Sequence, residues 1–279
     1  MGFKFKKIFV LVLILTLLFL LVFPGKVILP QTFSLGPITI HYYGVIMALA
    51  IAASFSFARK RAQAFGIGHK IADDLIFWLI LGGFLGARIF HVFSMLDYYS
   101  ANPSEIIKVW HGGLAIYGAI VGGVLTLLLF KKIKVLRLSI FDLLDWLTPS
   151  LLIGQAIGRF GNLFNYEALG FPTQLPWKMF VPLKFRPERF VDTNFFQPWF
   201  LYDSLACLLI FVILLRIWPK EGLKGRLFFS YLILYNVMRF ALEFLRIDGT
   251  LSFTTAISLS LGIAGVIFYI YLFKHAEQP

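Results

Sequence analysis

The stretch LIFWLILGGFLGARIFHVF, residues 75–93, is apolar apart from one arginine and one histidine. About 20 mostly apolar residues cross a bilayer as a helix, so it reads as a membrane span with Arg88 inside it. Seven further runs qualify: residues 8–23, 40–57, 112–130, 141–157, 199–218, 227–245 and 253–273. The composition agrees: the 279 residues are 59% hydrophobic and only 14% charged, too little charge to cover a soluble domain of that size. The expected fold is therefore all-α and polytopic, with about eight transmembrane helices. Residues 1–30 form an N-terminal anchor and 31–279 a transmembrane core, in which 171–197 make a small external head.

The net charge of +12 does not point to nucleic acid, because the cations sit in short clusters between apolar runs and leave no basic, aromatic-lined groove. Lys4, Lys6 and Lys7, the group from Arg59 to Lys70, Lys131 to Arg137, Arg216 to Arg226, and Lys274 all fall on one side of the inferred membrane. The positive-inside rule makes that side cytosolic and puts both termini inside. The first run resembles a signal peptide, but VFPGKVILP offers no small-x-small cleavage site and there is no lipobox cysteine, so it reads as a retained anchor. Cys207 is the single cysteine, which excludes an internal disulfide; its apolar surroundings favour a buried, inert thiol. The segment 171–197, rich in Pro, Phe and Arg, is too polar to span and suits a head at the lipid interface. Glycines at four-residue spacing, as in Gly82 and Gly86 or Gly118 and Gly122, mark close helix packing rather than chemistry.

Ionisable groups inside a span cost at least about 2.5–3.5 kcal/mol on insertion scales, which singles out Arg88, Asp145, Arg159, Arg239 and Glu243. In YNVMRFALEFLR, Tyr235, Arg239, Glu243 and Arg246 follow at intervals of four, four and three and share a helical face. An Arg239–Glu243 pair could simply lock helices together. Arg159, followed by Asn162, Asn165 and Glu167, supplies more cationic donors than one pair needs, and forked guanidinium groups suit a phosphate. His41, His91 and His111 are either interfacial histidines satisfied by water or carbonyls, or groups able to take a proton near neutral pH. No metal-ligand spacing, GxSxG elbow or Walker-type loop is present. The expected site is metal-free and cofactor-free, lies toward the outer leaflet, and suits an anionic phospholipid.

These residues resemble bacterial prolipoprotein diacylglyceryl transferases. The similarity runs from about Gly36 to the last span, through GPITIHYYG, GARIF, HGGLAIYG, DWLTP, GQAIGRFGNLFNYEALG and RFALEFLRIDG. The resemblance implies transfer of the diacylglyceryl group from phosphatidylglycerol to the lipobox cysteine thiol of a preprolipoprotein, leaving a thioether and glycerol 1-phosphate. It implies a multi-pass enzyme of the bacterial cytoplasmic (inner) membrane whose partners are that lipid, the preprolipoprotein signal peptide and the bilayer. Arg159 and Arg239 would hold the lipid phosphate and stabilise charge developing on it. Asn162 and Glu167 would orient the head group or Arg159, Glu243 would brace Arg239, and Tyr43 and Tyr235 would line the site. Arg88 and Arg246 join them as substrate-binding candidates, and Asp145 matches the family's DxxxP aspartate, with a packing or proton-network role.

The chain also departs from that pattern. Tyr117 stands where some members carry a histidine proposed as the thiol's base, and a tyrosine with a pKa near 10 is a poor base. Tyr117 then hydrogen-bonds lipid, and His111 or Glu167 is left for proton uptake. In QPWFLYDS, Gln197, Phe200 and Asp203 replace the usual residues, and Ile257 stands where glutamine is common. Two rivals are a transporter and an inactive relative. Against the first, the candidates lie toward the outer side and no broken helix recurs in two halves. Against the second, packing alone would not require Arg159, Asn162, Glu167, Arg239 and Glu243 together.

Overall fold

A computed structural model of the chain describes residues 16, 19–134, 138–217, 224–247 and 253–276. Among them the helices are α1 (Tyr42–Arg61), α2 (His69–Ser94), α3 (Leu96–Ala101), α4 (Ile116–Ile133), α5 (Ile140–Gly158), α6 (Phe160–Asn165), α7 (Trp199–Arg216), α8 (Arg226–Glu243) and α9 (Phe253–Ala276). Two short antiparallel pairs accompany them. β1 (Thr32–Leu35) runs against β2 (Ile38–His41) with Thr32 opposite His41, and β3 (Met179–Phe180) against β4 (Phe195–Phe196) with Met179 opposite Phe196.

Among the described residues six stretches are long and apolar enough to cross a membrane: Tyr42–Phe65, His69–Ser94, Ile116–Ile133, Ile140–Asn165, Trp199–Arg216 and Thr255–Leu272. They coincide with six of the eight expected runs. The seventh run is the helix α8, which falls short on composition because its 18 residues include Arg226, Arg239 and Glu243. Most of the run at residues 8–23 lies outside the described residues. Burial is inverted relative to a water-soluble protein. Asp203 is fully buried and Glu243 only 6% exposed, whereas Phe93 and Ile133 are 68% and 74% exposed. An arrangement of this kind is stable only where the outer solvent is hydrocarbon.

The chain divides into two compact units, Phe55–Leu147 and the remainder, Met1–Ser54 with Thr148–Pro279. In the Phe55–Leu147 unit, Leu75, Leu143 and Trp146 are fully buried, and the Trp146 indole donates to the Ala58 carbonyl at 2.8 Å. There α2 meets α4 through Gly82, Gly86, Gly118 and Gly122. A methyl group at Gly86 would strike the Gly118 carbonyl, and one at Gly122 the Gly82 carbonyl. The span expected from residue 112 starts at Ile116 instead, since Gly112 and Gly113 take φ of +92° and +81°, which no right-handed helix accommodates. His111 consequently sits in a single 3₁₀ turn before the helix.

The other unit has two apolar centres. One joins α5, α7 and α8 around Leu152, Ala156, Cys207, Leu214 and Leu227. The second joins α6 and the start of α7 to segment 171–197 through Leu163, Met179, Val181, Phe196 and Phe200. That segment is a folded piece: β3 and β4 pair within it, and Phe180 donates its amide to the Phe23 carbonyl at 2.8 Å.

Candidate active site

Four elements of the Met1–Ser54, Thr148–Pro279 unit supply a polar cluster. Pro198 precedes α7, and the first turn of that helix presents Trp199 and Asp203 on one buried face, both with no exposed surface. Arg159 lies at the α5–α6 junction, with its Nε 2.6 Å from Oδ2 of Asp203. From α8, Nη1 of Arg239 lies 3.9 Å from the same oxygen, and Nη2 lies 3.3 Å from Oε2 of Glu243 one turn later. Two guanidinium groups therefore share one carboxylate oxygen. Each arginine has five N–H donors. Asp203 and Glu243 engage only some of them, and Nη1 of Arg239 is buried with no hydrogen bond among the described residues.

The Trp199 indole is the floor of this cluster. The guanidinium carbons of Arg239, Arg246 and Arg159 lie 4.4, 5.3 and 5.6 Å from its ring centroid, all within cation–π range. Its Nε1 donates to the Leu242 carbonyl at 2.7 Å, which fixes the ring against the last turn of α8. Arg246 lies beyond the end of α8 at Glu243, so it does not continue the helical face of Tyr235 and Arg239. It is placed by a bridge to Gly170, with Ile247 N–H donating to the Leu169 carbonyl at 3.1 Å. A side chain at Gly170 would meet the Leu245 carbonyl and Gln197, so only glycine allows this approach. Tyr235 hydrogen-bonds Arg159 and stacks on Tyr231 at 5.4 Å, whose hydroxyl accepts from Gln155 at 2.9 Å.

The GRFGNLFNYE element forms the neighbouring wall. Asn162 and Asn165 both donate side-chain amide hydrogens to Oε1 of Glu167, at 2.9 and 3.2 Å. Tyr166 and Ala168, on either side of Glu167, take φ of +53° and +55°, a conformation costing non-glycine residues about 1–3 kcal/mol each. The turn is held by the Tyr166 side chain, whose hydroxyl accepts the Leu29 N–H at 2.8 Å and whose ring stacks on Phe185 at 4.9 Å. Tyr43 faces Glu167 and Arg159, and its ring occupies the space where Gly161 lacks a side chain. This unit thus brings together Tyr43, Arg159, Asn162, Glu167, Tyr235, Arg239, Glu243 and Arg246.

Arg88, His111, Tyr117 and Asp145 belong to the Phe55–Leu147 unit. The Arg88 side chain is engaged by a loop: Nε donates to Ile106 O at 2.9 Å, Nη1 to Gly112 O and Gly113 O at 2.6 and 2.8 Å, and Nη2 to Glu105 O. Nδ1 of His111 is 2.7 Å from Glu105, which also accepts from Lys108 at 2.7 Å. Hydrogen bonds from Lys108 and then His111 hold the half-buried Glu105 carboxyl below the usual carboxylate range. Tyr117 packs near Phe90, with ring centroids 6.4 Å apart, and Asp145 is 2% exposed within α5. Trp199 and Asp203 stand in the cluster beyond the residues expected from the sequence. The signal for Asp203 was available, since it is an ionisable residue within the apolar run at 199–218.

The fold and this arrangement define an integral membrane protein with three half-buried arginines gathered around Trp199 and Asp203. Sequence comparison narrows the class. The profile of the family described as prolipoprotein diacylglyceryl transferase matches residues 30–271. A phosphatidylglycerol–prolipoprotein diacylglyceryl transferase of Nostoc sp. is 40% identical over 265 residues, covering 90% of this chain and 92% of the relative. Proteins of the same name from Thermotoga maritima and Fervidobacterium nodosum are 37% and 41% identical, covering 92% and 90% of this chain and 89% and 88% of theirs. The chain belongs to the prolipoprotein diacylglyceryl transferase family.

Proposed function

We infer that this protein transfers the diacylglyceryl group of phosphatidylglycerol to the lipobox cysteine thiol of a preprolipoprotein, the first step of bacterial lipoprotein maturation. The observation that carries the reading is the pair of guanidinium groups, Arg159 and Arg239, held over Trp199 around one Asp203 oxygen in a member of this family. In the reaction the substrate's sulfur forms a bond to the glyceryl carbon as that carbon's bond to the phosphate oxygen breaks. The thioether forms, and glycerol 1-phosphate leaves with the electron pair. Negative charge grows on the departing phosphate, and Arg159 and Arg239 oppose it most strongly at the transition state. Glu243 braces Arg239, Asn162 fixes Glu167, and Tyr43, Tyr235 and Arg246 complete the wall. Arg88 shapes the loop that carries His111. The nucleophile comes from the substrate, and its proton goes to Glu167 or His111. Tyr117 contacts lipid, and Asp145 serves helix packing or a proton network.

The topology that suits this chemistry has eight spans in the bacterial cytoplasmic membrane. Both termini are cytosolic, residues 1–30 are an anchor on the 31–279 core, and segment 171–197 is an external head. The site then faces the outer leaflet, where a two-tailed lipid reaches it without leaving the bilayer. The test is to incubate detergent-purified protein with phosphatidylglycerol and a lipobox peptide, following glycerol phosphate release and peptide mass. Arg159→Ala serves as the control. The expected result is lipidated peptide that depends on Arg159. No product from a folded, lipid-binding preparation overturns the reading.

A further inference from the structure

Behind the turn that carries Glu167 lies an open cavity of about 260 Å³, whose lining includes Tyr166, Glu167, Lys184, Phe185, Arg186 and Ile247. It shares Glu167 with the wall of the Trp199 cluster, whereas Lys184 and Arg186 have no part in that cluster. Both asparagine amides fall on Oε1 of Glu167, and no hydrogen bond reaches Oε2 among the described residues. Arg186 spends Nε and Nη1 on the Val181 and Val191 carbonyls, at 2.9 and 3.0 Å, and keeps Nη2. The Lys184 ammonium lies 4.5 Å over the Phe185 ring and pairs with no carboxylate among the described residues. One cavity therefore presents a carboxylate acceptor and two cationic donors, on a frame held by the left-handed Tyr166 and Ala168. A ligand that satisfies both kinds of group carries hydroxyls and a phosphate: hydroxyls donate to the carboxylate, and phosphate oxygens accept from the cations. The volume is of head-group size, just under the roughly 300–1,000 Å³ of drug-sized sites.

We propose that this cavity binds a glycerophosphoryl group, with Lys184 and Arg186 on the phosphate and Glu167 on the glycerol hydroxyls. The proposal rests on the transferase reading, whose substrate and product both contain that group, esterified in the lipid or free. The test titrates glycerol 1-phosphate into detergent-purified full-length protein by calorimetry, beside steady-state kinetics against phosphatidylglycerol. Lys184→Gln and Lys184→Arg are compared, each also in an Arg159→Ala background so that binding at the arginine pair is removed. Lys184→Gln is expected to weaken binding about tenfold, the loss of one charge-assisted hydrogen bond, and Lys184→Arg to restore it. Inorganic phosphate is expected to bind more weakly than glycerol phosphate. Weakened free binding with an unchanged KM identifies the released product as the occupant. A raised KM with free binding unchanged identifies the lipid head group. No change in either measurement, or inorganic phosphate binding as tightly, overturns the proposal. Because the titration needs no turnover, protein that binds glycerol phosphate yet makes no thioether fails the transferase reading and not this one.

Discussion

Oδ2 of Asp203, with no surface exposed, lies 2.6 Å from Arg159 and 3.9 Å from Arg239, so one oxygen sets the distance between two guanidinium groups. Asp203→Asn keeps the shape and removes the charge. The two cations then repel each other without a shared counter-ion, and the spacing that fits a phosphate relaxes. A loss of about 1.5–3 kcal/mol of transition-state stabilisation from the relaxed ion pair lowers kcat about 10- to 100-fold. Asp203→Glu retains the charge and is expected to recover most of it. Equal activity in wild type and Asp203→Asn, in protein of matched thermal stability, removes Asp203 from the positioning of the arginines. The same residue shows how the sequence hides a site. Arg239 and Glu243 are legible together because helical spacing links them. Asp203 meets Arg159 only through tertiary packing of α7 on the α5–α6 junction, which no local periodicity encodes. Trp199 is hidden for another reason, since a tryptophan at the end of an apolar run reads as an interfacial anchor when it is in fact a buried floor.

At the scale of elements, hydrophobic length located the six helices that, among the described residues, are long and apolar enough to cross a membrane, because length and composition alone determine that property. It could not find the start of α4, where left-handed glycines at Gly112 and Gly113 override an apolar run. It also ran through the end of α8 at Glu243, after which a backbone bridge places Arg246. The glycine pattern, read as packing, has a sharper consequence. A methyl at Gly86 would strike the Gly118 carbonyl, whereas one at Gly123, on the same pair of helices, would meet nothing within 4 Å. Gly86→Ala is therefore expected to force α2 from α4 and destabilise the protein by about 1–3 kcal/mol, in the range of overpacked cores. Gly123→Ala is expected to be neutral or stabilising by up to about 1 kcal/mol, since alanine is the better helix former. Thermal unfolding of both variants in one detergent checks the pair. Equal melting temperatures would mean that the α2–α4 contact tolerates separation.

At the scale of the whole molecule, the proposed chemistry requires a side. A secreted preprolipoprotein presents its lipobox thiol at the outer face of the membrane, so the arginine cluster must open there. The cation clusters supply the independent argument, since sixteen of the 26 lysines and arginines fall on the side that the positive-inside rule makes cytosolic. Lys132 closes α4 within that basic set, whereas Lys178 lies in segment 171–197, next to β3. The protein's one native cysteine, Cys207, is buried, which leaves little background for thiol chemistry. Single cysteines at Lys178 and Lys132 should therefore divide cleanly under a membrane-impermeant maleimide. The expected result in intact cells is labelling at Lys178 and none at Lys132, with both labelled after permeabilisation. The reverse pattern would place the basic loops outside and segment 171–197 inside. The arginine pair could then act only on lipid and peptide of the inner leaflet, and the assignment of the site to lipoprotein maturation would fail with the topology.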